Sequence, residues 1–478
     1  MDATERASGD RPLSVEALAR ALGSVLDGPG FVPGTEAGDR HRRDWGGHTG
    51  APLAVLRPAT PDAVAATLRV LAGLGHPVVP QGGMTGLVKG GLPVDGEIVL
   101  SLERLTAIEA IDADAQTARV QAGVPLQALQ EAAEAEDLFF PVDIGARGSA
   151  AIGGMISTNA GGNRVLRYGM MRASVLGLEV VLADGTVVSR LNGLVKDNAG
   201  YDLKHLFIGA EGTLGVVTRA VLQLQPRPSS RATALVSVGT FGEVVVLLRA
   251  CRRGLGPMLG SFEAMWPGYW RLVTRDLGLG RDPFDGRGGI LVLVEALGFG
   301  PVAAEPALET VLGETLAALP GADAVLARSI ADADDFWRLR DAASEAARAI
   351  APYLAFDVSL PLAAMGGWVE AIEPALRARG LRRVQVYGHL GDGNLHLTVG
   401  DLPADPAFAA AIEDLAAETV GARGGSISAE HGIGRSKKRH LGLCRSEAEI
   451  ALMRRLKAAV DPGWILSPGR VFDRSEAP

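Results

Sequence analysis

At 478 residues the chain is long for a single hydrophobic core, so two or more domains are expected. A hydrophobic content of 47% describes a globular protein, and a net charge of −8 argues against a nucleic-acid surface. The two cysteines, Cys251 and Cys444, have no metal or redox spacing, and no apolar run reaches the ~18 residues of a membrane span.

The opening stretch, MDATERASGDRPLSVEALARALG, has no apolar run of signal-peptide type. With the cysteine usage, this points to a cytoplasmic protein. LSVEALARALGSVL predicts a short amphipathic helix capped by Ser14. From residue 52 the pattern is mixed. APLAVLRP reads as a strand, and TPDAVAATLRVLAGLG as a helix with Thr60 as cap and Pro61 in its first turn. HPVVPQGGMTGL reads as a strand running into a glycine loop. Further strands are expected in GEIVLSLERL, IEAIDADAQTARVQAGV, SVLGLEVVLADGTVV and LGVVTRAVLQLQPRP, with a hairpin at ADGT, 183–186.

QPRPSSR, 225–231, reads as a domain boundary. Beyond it, strands (ATALVSV, GILVLVEAL, AFDVSL) alternate with five helical patterns, which suggests an antiparallel sheet backed by helices. The expected divisions are an N-terminal helical segment, 1–45; a first domain, 46–226; a second domain, 227–430; and a C-terminal segment, 431–478.

YGHLGDGNLH, 387–396, places two histidines around an Asp-Gly turn, with alternating apolar residues on both sides. A two-residue turn at Asp392-Gly393 would pair His389 with His396, Leu390 with Leu395, and Gly391 with Asn394. Val384, Val386, Leu390, Leu395, Leu397 and Val399 then share one face. The histidines share the other, where opposed Cβ atoms lie roughly 4.5–5.5 Å apart. Such a pair either shares a metal ion or stacks on the surface.

Glycines number 62, about twice the usual share of ~7%. They concentrate in three segments: PQGGMTGL, 80–87; PVDIGARGSAAIGGMISTNAGGNRVLRYG, 141–169; and KDNAGYDLKHLFIGAEGTLGVVT, 196–218. The first is neither a Rossmann fingerprint nor a P-loop, because no helix is expected after it. The second reads as extended backbone wrapped on a polar ligand rather than as core.

Taken in order with SAEHGIGRSK, these segments resemble the vanillyl-alcohol-oxidase type of FAD domain. Within that type they are similar to the branch holding D-lactate dehydrogenases, glycolate oxidase subunits and D-2-hydroxyglutarate dehydrogenase. The resemblance covers roughly residues 45–472. It implies an α+β fold: a two-subdomain FAD-binding domain, an antiparallel-sheet substrate domain, and a C-terminal helical segment. Pro80, Gly82, Gly83, Thr85, Gly86 and Leu87 would hold the pyrophosphate. Asp143, Gly148, Ile152, Gly153 and Gly154 would line the flavin and ribityl chain, together with Ser157, Thr158, Asn159 and Gly161. Glu211, Gly212, Gly215 and Val216 would meet the adenine half. Met84 stands where covalent members carry histidine, so non-covalent FAD is expected.

The resemblance also supplies Glu430 as a third ligand with His389 and His396 for a divalent metal, zinc by preference. Two histidines and one carboxylate form an open, catalytic pattern. His431 matches the family's base and Arg340 an arginine that meets the substrate carboxylate, with Ser344, Thr398 and Asn394 also at the substrate. Arg338 and the basic run GRSKKRH, 434–440, read as solvated charge. The expected reaction is oxidation of a D-2-hydroxy acid, with electrons leaving to an electron-transferring flavoprotein, a quinone or a cytochrome rather than NAD. A glycolate oxidase-type subunit and D-2-hydroxyglutarate dehydrogenase proper are the alternatives. A metallohydrolase without redox chemistry would leave the glycine segments unexplained. A homodimer is left open. Ala355 replaces a lysine of the D-2-hydroxyglutarate pattern, Ser344 a threonine, Thr398 an asparagine, and Ser467 the asparagine of an Asn-Pro pair. The lost lysine favours a monocarboxylic substrate.

Overall fold

The computed structural model describes residues 13–474. The readings that fall on residues 1–12, including the start of the N-terminal segment, lie outside them. Val15–Leu22 is helical, and Ser14 caps it by accepting from the Ala17 N–H at 3.2 Å. Pro61–Leu74 is helical for the expected reasons. Thr60 accepts from the Ala63 N–H, Pro61 fits the first turn, and Gly75 closes the end at φ 62°.

Leu68 and Leu71 of that helix share a core with a four-stranded sheet in the order Phe31–Pro33, Ala54–Leu56, Ile98–Ser101, Val78–Gln81, with Val78–Gln81 at one edge. The three strands from Ala54 onward are parallel. A five-stranded antiparallel sheet follows: Ile108–Asp112, Thr117–Gln121, Val216–Gln223, Val175–Val181, Val187–Arg190. The hairpin at 183–186 joins its last two strands, with Val181 opposite Val187. Both sheets share one apolar core, in which Leu56, Leu68, Ile156 and Leu222 are sealed from solvent.

Segment 141–169 is not extended throughout. Ile152–Thr158 forms a helix whose Ile152, Met155 and Ile156 are buried. Its apolar residues recur at helical spacing, so it joins the core on one side while its serine and threonine remain partly exposed. Close packing requires glycine at 153, where a Cβ would meet the Ala122 Cβ at 2.6 Å.

The second half builds a seven-stranded antiparallel sheet. Its order is Asp323–Leu326, Ser230–Val238, Ile290–Gly298, Leu259–Met265, Val384–Gly388, Asn394–Val399, Leu354–Ser359. Helices Phe241–Leu255, Ala304–Ala317 and Leu362–Ala378 cover one face. The other face is covered by Tyr269, Trp270 and the helix Ile330–Asp341. Burial on both faces explains the nearly unbroken apolar run ILVLVEALG. Strand Leu259–Met265 was not expected from sequence.

The last segment returns to the first sheet. After helix Glu447–Val460, the Val78 N–H donates to the Ile465 carbonyl at 2.8 Å, and the Ser467 N–H to the Val78 carbonyl at 2.8 Å. Arg470 is buried in an ion pair with Glu97 and also donates to the Leu92 carbonyl. Among the described residues no helix is long and apolar enough to cross a membrane.

Candidate active site

The histidine hairpin forms in a different register. His396 opposes Tyr387, and the pairs expected for His389, Leu390 and Gly391 are not made. Leu390–Asp392 forms a 3-10 turn instead of a two-residue hairpin turn, with Gly393 at φ 94°. The N–H groups of Asp392 and Asn394 both return to the His389 carbonyl at 3.2 Å. The displacement is two residues, so every side chain keeps its face. All six expected apolar positions lie in one core. The opposite face is also buried, because the Tyr269 ring stacks on Tyr387 with centroids 4.3 Å apart. His389, beyond the strand end, still reaches His396, with ring centroids 5.5 Å apart.

Glu430 joins them. Ligand-capable atoms of His389, His396 and Glu430 all lie within 4.8 Å of one another. Glu430 is held by the Gly162 N–H at 2.9 Å. A Cβ on Gly161 would meet its Oε1 at 2.5 Å, so this approach requires glycine. A second set, Asp357, His396 and His431, meets the same distance criterion. Its carboxylate is already committed. Asp357 Oδ2 accepts from the N–H groups of Ala429, Glu430 and His431 at 2.8–3.0 Å, and Oδ1 accepts from Asn394 Nδ2 at 2.6 Å. The donor set that fits a metal is therefore His389, His396 and Glu430.

Two buried acids that sequence reasoning missed organise the cluster. Glu263 accepts from His389 Nδ1 at 2.9 Å and from Arg340 Nε at 2.7 Å. It lies on the unexpected strand, and its signal was a lone acid inside the apolar LGSFEAM. Burial opposes its charge, but His389 and Arg340 outweigh burial and hold Glu263 at about 2. Burial likewise disfavours the His389 cation, yet Glu263 lifts that imidazole to about 9. For His396, burial dominates and pushes the imidazole well below the usual histidine range. Burial also opposes charge on Asp357, but His431, Lys437 and His396 hold its carboxyl far below the ordinary value. Without a metal, one proton thus favours His389 over His396.

Arg340 is buried, which rules out a solvated helix face. Its Nη2 lies 3.3 Å from His389 Nε2, and its Nη1 makes no hydrogen bond among the described residues. Arg338 is a surface partner of Asp335, as expected. The basic run is not a solvated loop: Lys437 donates to the Ile427 carbonyl and Ser428 Oγ, and Arg439 and His440 pair with Asp414. Thr398 is buried opposite Ala355. The amide nitrogen of Asn394 is spent on Asp357.

Beside this cluster runs a cavity of about 660 Å³, within the range of cofactor sites. Pro80, Gly82, Gly83, Thr85, Gly86 and Leu87 line it, as do Gly153, Gly154, Ser157, Thr158 and Gly161. So do Glu211, Gly212, Gly215 and Val216. Asp143, Gly148, Ile152 and Asn159 do not. Asp143 pairs with Arg147 and Arg164, Ile152 is core, Asn159 Oδ1 caps the Arg172 N–H, and Gly148 sits by Gln127. Glu211 lines the wall, but its carboxylate accepts from the N–H groups of Ile433 and Gly434 at 2.7 Å. The second half of the chain contributes Asp341, Ser344, Glu345, Arg348, Glu430 and His431. Glycine backbone and small side chains on this scale suit a dinucleotide, whose pyrophosphate needs close approach of N–H groups. A Cβ on Gly83 would meet the Ser149 carbonyl at 1.9 Å, so the loop can pack there only as glycine.

Comparison with known proteins agrees. The family described as "FAD binding domain" matches residues 52–190, and "FAD linked oxidases, C-terminal domain" matches residues 227–471. The chain is 40% identical over 427 residues to "D-2-hydroxyglutarate dehydrogenase, mitochondrial" of Bos taurus, covering 88% of this chain and 77% of that protein. It is 39% identical over 448 residues to "D-2-hydroxyglutarate dehydrogenase" of Xanthomonas citri pv. viticola, covering 92% and 93%. The chain belongs to the FAD-linked D-2-hydroxyglutarate dehydrogenase family. As a member of that family it is an FAD-linked oxidoreductase.

Solved structures similar in fold include 4-ethylphenol oxidase from Gulosibacter chungangensis, with a TM-score of 0.72 at 18% identity, covering 97% of this chain and 99% of that one. A p-cresol methylhydroxylase structure gives a TM-score of 0.71 at 15% identity, covering 97% and 98%. The fold is the vanillyl-alcohol-oxidase type, α+β, as the motifs implied. Within this dehydrogenase family fold, His431 is where the two sites meet. It lines the cavity, and its ring lies 6.1 Å from that of His396.

Proposed function

We propose that the chain oxidises a D-2-hydroxy acid to the 2-oxo acid, using non-covalent FAD and a divalent metal, with zinc as the ion the family resemblance implies. FAD, when bound, supplies the hydride acceptor, and the metal, when bound, supplies a Lewis acid for the substrate hydroxyl. One observation carries the reading: His431 lines the glycine-walled cavity while the adjacent Glu430 completes the donor set with His389 and His396. His431 takes the hydroxyl proton. Arg340 offers Nη1 to the substrate carboxylate while Glu263 fixes the rest of its guanidinium. The glycine loop after Gln81 continues without a helix, which supports an acceptor other than NAD: an electron-transferring flavoprotein, a quinone or a cytochrome. A cytoplasmic location is our reading from sequence; the bovine relative's name says mitochondrial.

The substrate side chain has two readings. Ala355, exposed and opposite Thr398, leaves no cation at that place, which favours a monocarboxylic acid. Arg348, unlike Ala355, lines the glycine-walled cavity, one helical turn after Ser344, and could receive a second carboxylate. The relatives' names favour this diacid reading, with D-2-hydroxyglutarate as substrate.

The test is anaerobic flavin bleaching with paired D and L acids, with and without chelator. Bleaching by a D acid, lost with chelator and restored by zinc, is the expected result. Bleaching indifferent to chelator would remove the metal from the reaction, and no bleaching by any acid would overturn the substrate class.

A further inference from the structure

A second cavity, of about 540 Å³, opens on the substrate domain and shares no lining residue with the first. Five arginines line it: Arg271, Arg275, Arg377, Arg382 and Arg383. Only two acids, Asp276 and Glu373, are there to offset them. Arg383 is paired elsewhere, with Asp401 at 3.1 Å and the Ala349 carbonyl at 3.1 Å. Arg271 lies over the Trp270 ring. Arg275, Arg377 and Arg382 have no ion pair among the described residues. Arginines gathered around one cavity with only two acids, of which Glu373 is drawn to Arg377, leave an excess of positive charge that an anion would neutralise.

The floor of this cavity is apolar, with Trp266, Ile350 and Val384 all buried. Gln385, 1% exposed, also lines it. Its Nε2 donates to the Ala346 carbonyl at 3.2 Å, while its buried Oε1 has no partner. Such an acceptor is ordinarily satisfied by water, and an anion's head belongs on the guanidinium side of the cavity, away from it.

We propose that this cavity binds a small organic anion, a phosphate or carboxylate head on an apolar body. The head meets the unpaired guanidiniums, which favour bidentate contact with either group. The body lies on Trp266, Ile350 and Val384. A bare inorganic ion would leave that floor uncovered. The site stands apart from the reaction, since its lining begins the strand that ends beside His389.

Isothermal titration of the flavin-loaded protein tests this with phenyl phosphate, phthalate and inorganic phosphate as probes. At least one organic probe should saturate a single site, more tightly than inorganic phosphate. Whether phenyl phosphate or phthalate binds better identifies the head group. In Arg275→Ala/Arg382→Ala, two exposed positions whose folding is checked by melting, affinity should fall at least about tenfold. Added NaCl should also weaken binding in the wild type. Saturation by neither organic probe would overturn the proposal, and so would binding undiminished in the double variant, which would place the anion elsewhere.

Discussion

Glu263 Oε1 lies 2.9 Å from His389 Nδ1, and both side chains are nearly sealed from solvent. A carboxylate behind a histidine holds the proton on Nδ1 and turns Nε2 toward Glu430, 3.8 Å away, as the nitrogen a metal would take once its proton leaves. Glu263→Gln keeps the shape and removes the charge. Metal affinity of the stripped protein, measured by competition with a chelator, should fall about 10–100-fold. Unchanged affinity would show that His389 does not bind metal in this manner.

Asp357 anchors the peptide N–H groups of residues 429–431, so it sets where Glu430 and His431 point. An asparagine there has one acceptor oxygen and would turn donors toward donors. Asp357→Asn should cost on the order of 3–5 kcal/mol of stability. Hydrogen exchange should quicken at those three amides before the rest of the domain opens. Retained protection there would refute this anchoring role.

Glu103 holds the N-terminal segment to the first sheet through Arg40 and His41, and also pairs with Arg57 at the end of strand Ala54–Leu56. His41 and Arg40, against the opposing effect of burial, hold its carboxyl at about 2, below the ordinary 4.5. A depressed carboxylate contributes stability above its unfolded pKa and loses it as pH falls through the folded one. The loss therefore falls between pH 4.5 and 2. Melting temperature should drop more steeply across that window in the wild type than in Glu103→Gln. Parallel curves would show that this carboxylate carries no acid sensitivity.

Ala355 and Arg348 are the two positions that divide monoacid from diacid. Arg348→Ala should raise KM for D-2-hydroxyglutarate about tenfold or more and leave a monocarboxylic acid nearly unchanged. Ala355→Lys should shift preference toward the diacid. If neither substitution changes the ratio of kcat/KM values, the distal group is bound elsewhere.

The parts most legible in the sequence were those whose signal is local. Caps at Ser14 and Thr60, the turn at 183–186 and the glycine loop at 80–87 each follow from adjacent residues. The hairpin at residue 393 was legible in its faces but not its register, because Asp-Gly serves a 3-10 turn as readily as a two-residue loop. Helix Ile152–Thr158 was hidden by its glycines, of which Gly153 packs against Ala122, just after strand Thr117–Gln121. Glu263 and Asp357 could be placed only by the fold, since each acts on residues more than seventy positions away. Nothing near them in sequence states whom they serve.

The strand Val78–Gln81 forms an edge of the first sheet, and its outer side is hydrogen-bonded at Val78 by the segment Ile465 to Ser467. A ribosome must therefore reach residue 467 before that edge is shielded. During translation the first domain can collapse early, but it presents an open template to neighbouring nascent chains until residue 467 has emerged. Loss of the last dozen described residues would be expected to show first as insoluble protein rather than as slow enzyme.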